Sequence, residues 1–329
     1  MLSKLIEKIA FNARSPGGKR IYGYPVIFLL FFLPVIIFAI VNYSITKNIF
    51  TKLVNSEHHA STISASHAAH NALESLRDSV SAIANHPLFK QNSTLGNWSN
   101  MSNSLKIFQE INSAHHFTRI LVADPSGVIK SDTANKAIGQ DQSEQEWFQG
   151  VNSTGATYVT DTFLPEESST NYVFAIAAPV INDSQMRVAT VVVYVQIDVF
   201  EKILSPLKLP EESKIYMTDG NGRVLSGTGG RGQTVMAAGL TQVNKALRHE
   251  SGTITTQESL LGIGQKAVVS YAPMEDVGWS VIVETPKDVA YKDVNKGLNE
   301  LMLVYLVFLL FYGSLTRPIV SAIANKKTI

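Results

Sequence analysis

Two apolar runs stand at either end of a chain that is otherwise mixed in polarity. The first, Tyr24 to Tyr43, reads YPVIFLLFFLPVIIFAIVNY. The second, Leu298 to Leu315, reads LNELMLVYLVFLLFYGSL. Each is long enough to cross a hydrocarbon core of ~30 Å as a helix. Pro25 suits a first helical turn, and Pro34 is expected to kink the first span. Lys4, Lys8, Arg14, Lys19 and Arg20 precede the first span, and Arg317, Lys326 and Lys327 follow the second. The excess of positive charge outside both spans places residues 1–23 and 317–329 in the cytoplasm and residues 44–297 on the other side.

Between the runs, the periodicity changes twice. Residues 44–87 lack Gly and Pro until Pro87, and Leu73, Leu76, Val80 and Ile83 recur at spacings of 3, 4 and 3. That pattern predicts one long helix with an apolar seam, which packs on the chain's own sheet, pairs with a second copy, or does both. Beyond it the period shortens to that of strands, and the strands repeat. RILVADPSGVIKS (119–131) is echoed by KIYMTDGNGRVLS (214–226), and each carries Asp-x-x-Gly hairpin chemistry. YVFAIAAPVIND (172–183) is echoed by KAVVSYAPMED (266–276). The strand RVATVVVYVQID (187–198) follows the first copy and WSVIVETP (279–286) follows the second. The pattern predicts two antiparallel α+β modules in series, at 88–204 and 205–286. From Lys287 the chain reads as helix, so residues 287–316 join the second module to the second span.

Composition narrows the chemistry. The 329 residues include no cysteine, which excludes disulfides, thiolate zinc and a thiol nucleophile. Residues 44–297 carry 20 Lys and Arg against 25 Asp and Glu, a mild negative excess that argues against nucleic acid. No Ser/His/Asp set, carboxylate pair or metal-ligand spacing stands out, so no enzyme, cofactor or metal is expected. His58, His59, His67 and His70 read as a solvated or dimer-facing stripe, and no carboxylate is expected to complete a metal site with His67 and His70. His115 and His116 read as a helix end or loop. The Gly-rich stretch from Gly227 to Gly232 lacks the Lys-Ser/Thr ending of a phosphate loop and reads as an ordinary loop.

This arrangement resembles the double Cache (dCache) family, over about residues 44–316. The stretch GQDQSEQEWFQGVNSTGATYVTDTF (139–163) is similar to the segment in which Trp and a second aromatic line that family's membrane-distal pocket. SLTRPIVSAIAN (314–325) resembles the opening of a HAMP linker. The resemblance implies an α+β membrane protein: a long helix and two tandem PAS-like modules, flanked by two transmembrane helices. It also implies a bacterial inner-membrane sensor with a periplasmic ligand-binding region, homodimeric through residues 44–85. In amino-acid-binding members a Tyr, an Arg, an aromatic pair, a later Tyr and a later Asp surround the ligand. Here Trp147 and Phe148 match the pair, Tyr158 the later Tyr and Asp183 the later Asp. Gln145 occupies the Arg position and Gln140 the first Tyr position, so the carboxylate clamp lacks its charge. The expected ligand is a small polar molecule, neutral or cationic, with Asp161 at the pocket rim or capping a turn. The second module is expected to act mainly as a spacer. The short stretch after the second span suggests that the output lies elsewhere, in a missing segment or in a partner to which an accessory protein would signal laterally. An anchored ectoenzyme is the remaining class, without a catalytic set to support it.

Overall fold

The computed structural model describes residues 23–325, except 113–115, 167–168, 170, 206, 208, 211, 228–235 and 261–264. His115, most of the Gly-rich stretch after Gly227, and the basic residues before the first span lie outside the described residues. Asn55–Ala290 forms one compact unit, and the described parts of Met1–Val54 and Tyr291–Ile329 form another.

The first element, α1, is a helix over Gly23–Asn85. It stops before Pro87 because a residue preceding proline is pushed out of the α region. His86 adopts an extended conformation there, and its side chain accepts the Leu88 N–H as the cap of α2 (Pro87–Leu95). A short 3-10 helix and α3 (Met101–Ile111) follow. Then come β1 (Phe117–Ala123), β2 (Ile129–Asp132), α4 (Glu146–Thr154), β3 (Tyr158–Val159), β4 (Val173–Ile181), β5 (Arg187–Gln196) and α5 (Val199–Leu204). The second set is β6 (Lys214–Thr218), β7 (Val224–Gly227), α6 (Thr241–Leu247), β8 (Gly252–Thr256), β9 (Ala267–Met274) and β10 (Trp279–Pro286). The chain continues as α7 (Lys287–Ala290) and α8 (Lys292–Asn325). The helix expected from Lys287 is thus interrupted at Tyr291.

The sequence repeat is a structural repeat. The strand orders are β2-β1-β5-β4-β3 and β7-β6-β10-β9-β8, all antiparallel and identical position for position. The two Asp-x-x-Gly turns also close alike. Asp124 Oδ1 accepts the backbone N–H groups of Ser126 and Val128, and Asp219 Oδ1 accepts those of Asn221 and Arg223. Gly127 and Gly222 take φ of 98° and 76°, which a side chain would resist.

Strand alternation gives each sheet two apolar faces. On β5, Val191, Val193 and Val195 join the cluster holding Leu73, Leu76, Val80 and Ile83 of α1, while Val192 and Tyr194 join a separate cluster. On β10, Val281 and Val283 enter the α1 cluster and Ile282 faces the other way. The seam on α1 is therefore used inside the chain. Upstream, Ile45, Ile49, Phe50 and Leu53 remain exposed.

Against expectation, His58 is buried beneath the second sheet. Nδ1 lies 2.7 Å from Ser270 Oγ and Nε2 2.7 Å from Thr285 Oγ1. Those hydroxyls continue to Thr253 and Ser213 at 2.6 and 2.8 Å. Facing hydroxyls on a sheet need a polar partner, and the helix supplies a neutral imidazole. The other histidines differ: His67 is exposed, and His70 Nε2 lies 3.8 Å from Asp276 Oδ2.

In the other unit, α1 and α8 carry windows long and apolar enough to cross a membrane, by length and composition. The rings of Phe32 and Tyr312 meet edge-on at 5.5 Å.

Two predictions follow from this packing. Replacing Leu73 with Ala leaves a cavity under the first sheet and should cost about 2–5 kcal/mol, read as a lowered thermal midpoint. Burial holds the His58 pKa down at about 4, against 6.5 unperturbed. Between those values the unfolded chain binds the extra proton. The stabilisation is therefore full above about pH 6.5 and is lost as pH falls toward 4, by about 3 kcal/mol. The thermal midpoint should drop across that window by more than in His58→Gln.

Candidate ligand-binding face

The face of the first sheet that turns away from α1 is covered by α4. Gln145, extended and exposed, precedes the helix, and Gly155 ends it in the left-handed region. This orientation buries Trp147, Phe148, Gly150 and Val151 and leaves Gln145, Glu146 and Gln149 outward. Beneath them lie Leu121, Ala123, Ala175, Ala177, Val192 and Tyr194. Trp147 and Phe148 meet edge-on at 5.7 Å, and Phe163 and Tyr194 at 5.2 Å. Tyr158 packs against Gly150, where an added Cβ would run into its ring.

Two polar atoms on this face stand out because they have no partner. Trp147 is 1% exposed and Thr190 0%, yet Trp147 Nε1 and Thr190 Oγ1 make no hydrogen bond among the described residues. Thr190 belongs to this face by alternation with Val192 and Tyr194. Buried polar atoms are nearly always satisfied, and an orphan calls for an explanation such as an absent ligand or water. Half-buried Gln142 also leaves its Oε1 unpartnered.

Two arginines approach the same face. Arg119 clamps Asp132 through Nε and Nη2 at 2.9 and 2.6 Å, and its Cζ lies 5.9 Å from the Tyr194 ring centre. Asp132 also accepts the N–H groups of Ala134, Lys136 and Ala137. Burial alone would raise its pKa, but these five donors outweigh it and hold the group at about 2. Burial pushes Tyr194 up to about 12. A register shift between Val180 and Ile181 leaves Val188 as the extra residue of a bulge. Arg187 then points to the face of Phe148, its Cζ 5.3 Å from the ring centre, and donates to Pro125 O at 3.3 Å. Burial lowers its pKa.

The residues expected from the sequence fall in two groups. Trp147, Phe148 and Tyr158 come together on one apolar cluster. Asp183 lies exposed in the β4–β5 turn, where Asn182 rather than Asp183 caps the backbone by accepting Met186 N–H. Asp161 faces the second sheet. Its Oδ1 accepts Gly220 N–H at 2.9 Å and Trp279 Nε1–H at 3.1 Å, and its Oδ2 accepts Asn221 Nδ2–H at 2.9 Å. Sequence reasoning missed Thr190, Arg187, Phe163 and Tyr194. The period-2 alternation along β5 carried the signal for Thr190 and Tyr194.

The matching face of the second sheet is chemically different. Glu284, 0% exposed, accepts from Tyr216 Oη and Ser259 Oγ at 2.7 Å, from Leu260 N at 2.9 Å and from Gln242 Nε2 at 3.3 Å. Its carboxylate is saturated by the chain itself, although Gln242 Oε1 lacks a partner. Elsewhere, His70, Glu74 and Asp276 bring ligand atoms within 4.8 Å of one another, so carboxylates do gather at His70. Glu74 is also paired with Arg77 at 2.7 Å.

Residues 46–294 match the Cache domain family model dCache_1, and the chain belongs to that family. No curated protein matches it in sequence. Solved structures share the fold. An extracellular ligand-binding receptor from Desulfohalobium retbaense superposes with a TM-score of 0.52 at 17% identity, over 69% of this chain and 40% of its own. The ligand-binding domain of the Pseudomonas aeruginosa amino-acid chemoreceptor PctB, in complex with L-Gln, gives 0.52 at 14% identity, over 73% and 96%. That of the Campylobacter jejuni chemoreceptor Tlp3, in complex with L-valine, gives 0.56 at 11%, over 75% and 98%. These neighbours are an extracellular ligand-binding receptor and the ligand-binding domains of two chemoreceptors.

The close approach of Gly150 and Tyr158 is directly testable. Gly150→Ala should displace the Tyr158 ring and destabilise the first module by about 1–3 kcal/mol, as overpacking does. Thermal denaturation of Gly150→Ala beside Gly150→Ala/Tyr158→Ala should show the second change restoring part of the loss.

Proposed function

We propose that this chain is a sensory receptor subunit of a bacterial inner membrane. Its extracytoplasmic region, residues 44–297, binds a small polar ligand on the face of the first sheet beneath α4. The observation that carries this reading is the buried, unpartnered Trp147 indole N–H, accompanied by the unpartnered Thr190 hydroxyl. The indole N–H can only donate and the hydroxyl can donate as well as accept, so together they favour a ligand that offers an acceptor oxygen, such as a carbonyl or carboxylate. Trp147 and Phe148 form the wall, Tyr158 offers a hydroxyl, and Gln145 stands at the start of α4, while Asp183 lies in the exposed β4–β5 turn and Asp161 turns its carboxylate to the second sheet. Gln145 supplies no charge; Arg187 beside Phe148 brings one near. Amino acids, the ligands carried by the PctB and Tlp3 structures, head the list of candidates.

The two apolar helices support a two-pass arrangement, with the Lys and Arg residues outside them at the cytoplasmic face. Ligation biases one of two arrangements of the modules, to the extent that the ligand's affinities for them differ. α7 and α8 carry the change toward a cytoplasmic output through a HAMP-like segment. Pairing of two copies through residues 44–85 uses the exposed Ile45, Ile49, Phe50 and Leu53, because the downstream seam is occupied by the sheets.

A thermal-shift screen of the detergent-solubilised chain against amines, amino acids, purines and small carboxylates should find a ligand that raises the midpoint by mass action. Trp147→Phe removes the N–H and keeps the ring packed. It should weaken that ligand about tenfold, the worth of one buried hydrogen bond. Unchanged affinity in both Trp147→Phe and Trp147→Ala would move the site away from this face.

A further inference from the structure

The loop after β3 and the β6–β7 turn are joined by a compact set of hydrogen bonds between residues about sixty positions apart. Besides Gly220 and Asn221, which donate to Asp161, Thr162 Oγ1 donates to Asp219 Oδ2 at 2.6 Å, and Arg223 Nη1 donates to Thr162 O at 2.9 Å. Arg223 also stacks its guanidinium over Tyr172, with Cζ 4.6 Å from the ring centre. Asp219 is the carboxylate that closes the β6–β7 hairpin. The strap is therefore tied to a turn that is itself fixed.

The strap has a second end. Glu146, the first residue of α4 and the neighbour of Trp147, uses one carboxylate oxygen twice. Oε1 accepts Tyr158 Oη–H and Asp161 N–H, both at 3.2 Å. A continuous path runs from the Trp147 helix through Glu146 and the Asp161 backbone to the Asp161 carboxylate, and from there to the Trp279 indole. Trp279 is 1% exposed and belongs to β10, yet its ring is wedged against Phe174 of β4 at 5.2 Å and Phe200 of α5 at 5.8 Å. It is a side chain of the second sheet held on two sides by the first module, with its single polar atom held by Asp161. Burial raises the pKa of both Asp161 and Glu146, as expected where two carboxylates share a partly desolvated junction.

We infer that Asp161 is a positioning residue that couples the state of the Trp147–Tyr158 face to the second module through Trp279 and the β6–β7 turn. The inference rests on the reading of that face as the ligand site and names how its occupancy is passed on. A shift of α4 or of Tyr158 changes what Glu146 can offer the Asp161 N–H. The Asp161 side chain then carries the change to Trp279. β10 runs directly into α7, so a change at Trp279 enters the strand that leads out of the second module.

The test needs no ligand. The chain contains three tryptophans, so 5-fluorotryptophan labelling of the full-length protein gives three fluorine resonances, assigned by single Trp→Phe replacements. Tyr158→Phe removes the phenolic donor to Glu146 and leaves the packing. The Trp279 resonance should move in Tyr158→Phe, although Tyr158 is not among the rings packed on Trp279. That movement should vanish when the same replacement is made in Asp161→Asn. In Asn221→Ala, which removes one donor from an exposed turn and leaves the fold unburdened, it should be reduced. A Trp279 resonance indifferent to Tyr158→Phe would overturn the coupling. So would a movement that persists undiminished in both Asp161→Asn and Asn221→Ala. A screen in which no ligand shifts Trp147 would instead contradict the sensor reading and leave this result standing.

Discussion

The structure depends on a single shared core, in which one helix lies beneath both sheets. Leu73, Leu76, Val80 and Ile83 of α1 pack with Val191, Val193 and Val195 of one sheet, in a cluster that also takes in Met217, Val281 and Val283 of the other. Removing that much apolar surface from water is the main favourable term holding the unit Asn55–Ala290 together. Because strands alternate, committing one face of each sheet to the helix leaves one further face per sheet. Those two faces then diverge. The first is closed by α4 over small residues, Ala123, Ala175 and Ala177, and keeps polar atoms unpaired. The second is closed by α6 and fills its polar centre with Glu284 and four donors. One repeat unit thus retains unmet hydrogen-bonding capacity, and its twin has largely spent it.

The same core explains the junction. Since both sheets sit on one helix, a bulky residue at the start of β10, the central strand of the second sheet, meets the first module and must serve both. Trp279 does so. It contributes a large apolar surface to the common cluster and directs its N–H to Asp161. A tryptophan buried between modules fits this place because it combines apolar area with one donor that needs a fixed acceptor. His58 plays a comparable part further down the helix, satisfying hydroxyls from two strands with one neutral ring.

Local signals in the sequence carried much of this. The Asp-x-x-Gly turns, the Ala-Pro strands and the seam on α1 could be read because each depends on residues near one another in the chain, and the repeat doubled the signal. The aromatic pair at 147 and 148 stood out by the resemblance to the dCache segment, and both side chains are buried. The contacts of Asp161 were not legible. Its partners Gly220, Asn221 and Trp279 lie about 60 to 120 positions away, and a lone Asp after a short strand looks like any turn residue. His58 reads in the sequence as part of a solvated or dimer-facing stripe because the hydroxyls it meets, Ser270 and Thr285, are more than two hundred residues distant. Arg187 was hidden by a bulge, which shifts the alternation by one and cannot be seen in an apolar-polar pattern. The break at Tyr291 has no glycine or proline to announce it.

The central claim is that the ligand face is the one beneath α4, on the first sheet. Hydrogen–deuterium exchange on the full chain, with and without the ligand that most raises its thermal midpoint, tests this most directly. Slower exchange should appear in residues 142–163 and 187–194, which supply Trp147, Tyr158, Arg187 and Thr190. Protection confined to residues 214–260, with 142–163 unchanged, would place the ligand on the second sheet and contradict the account.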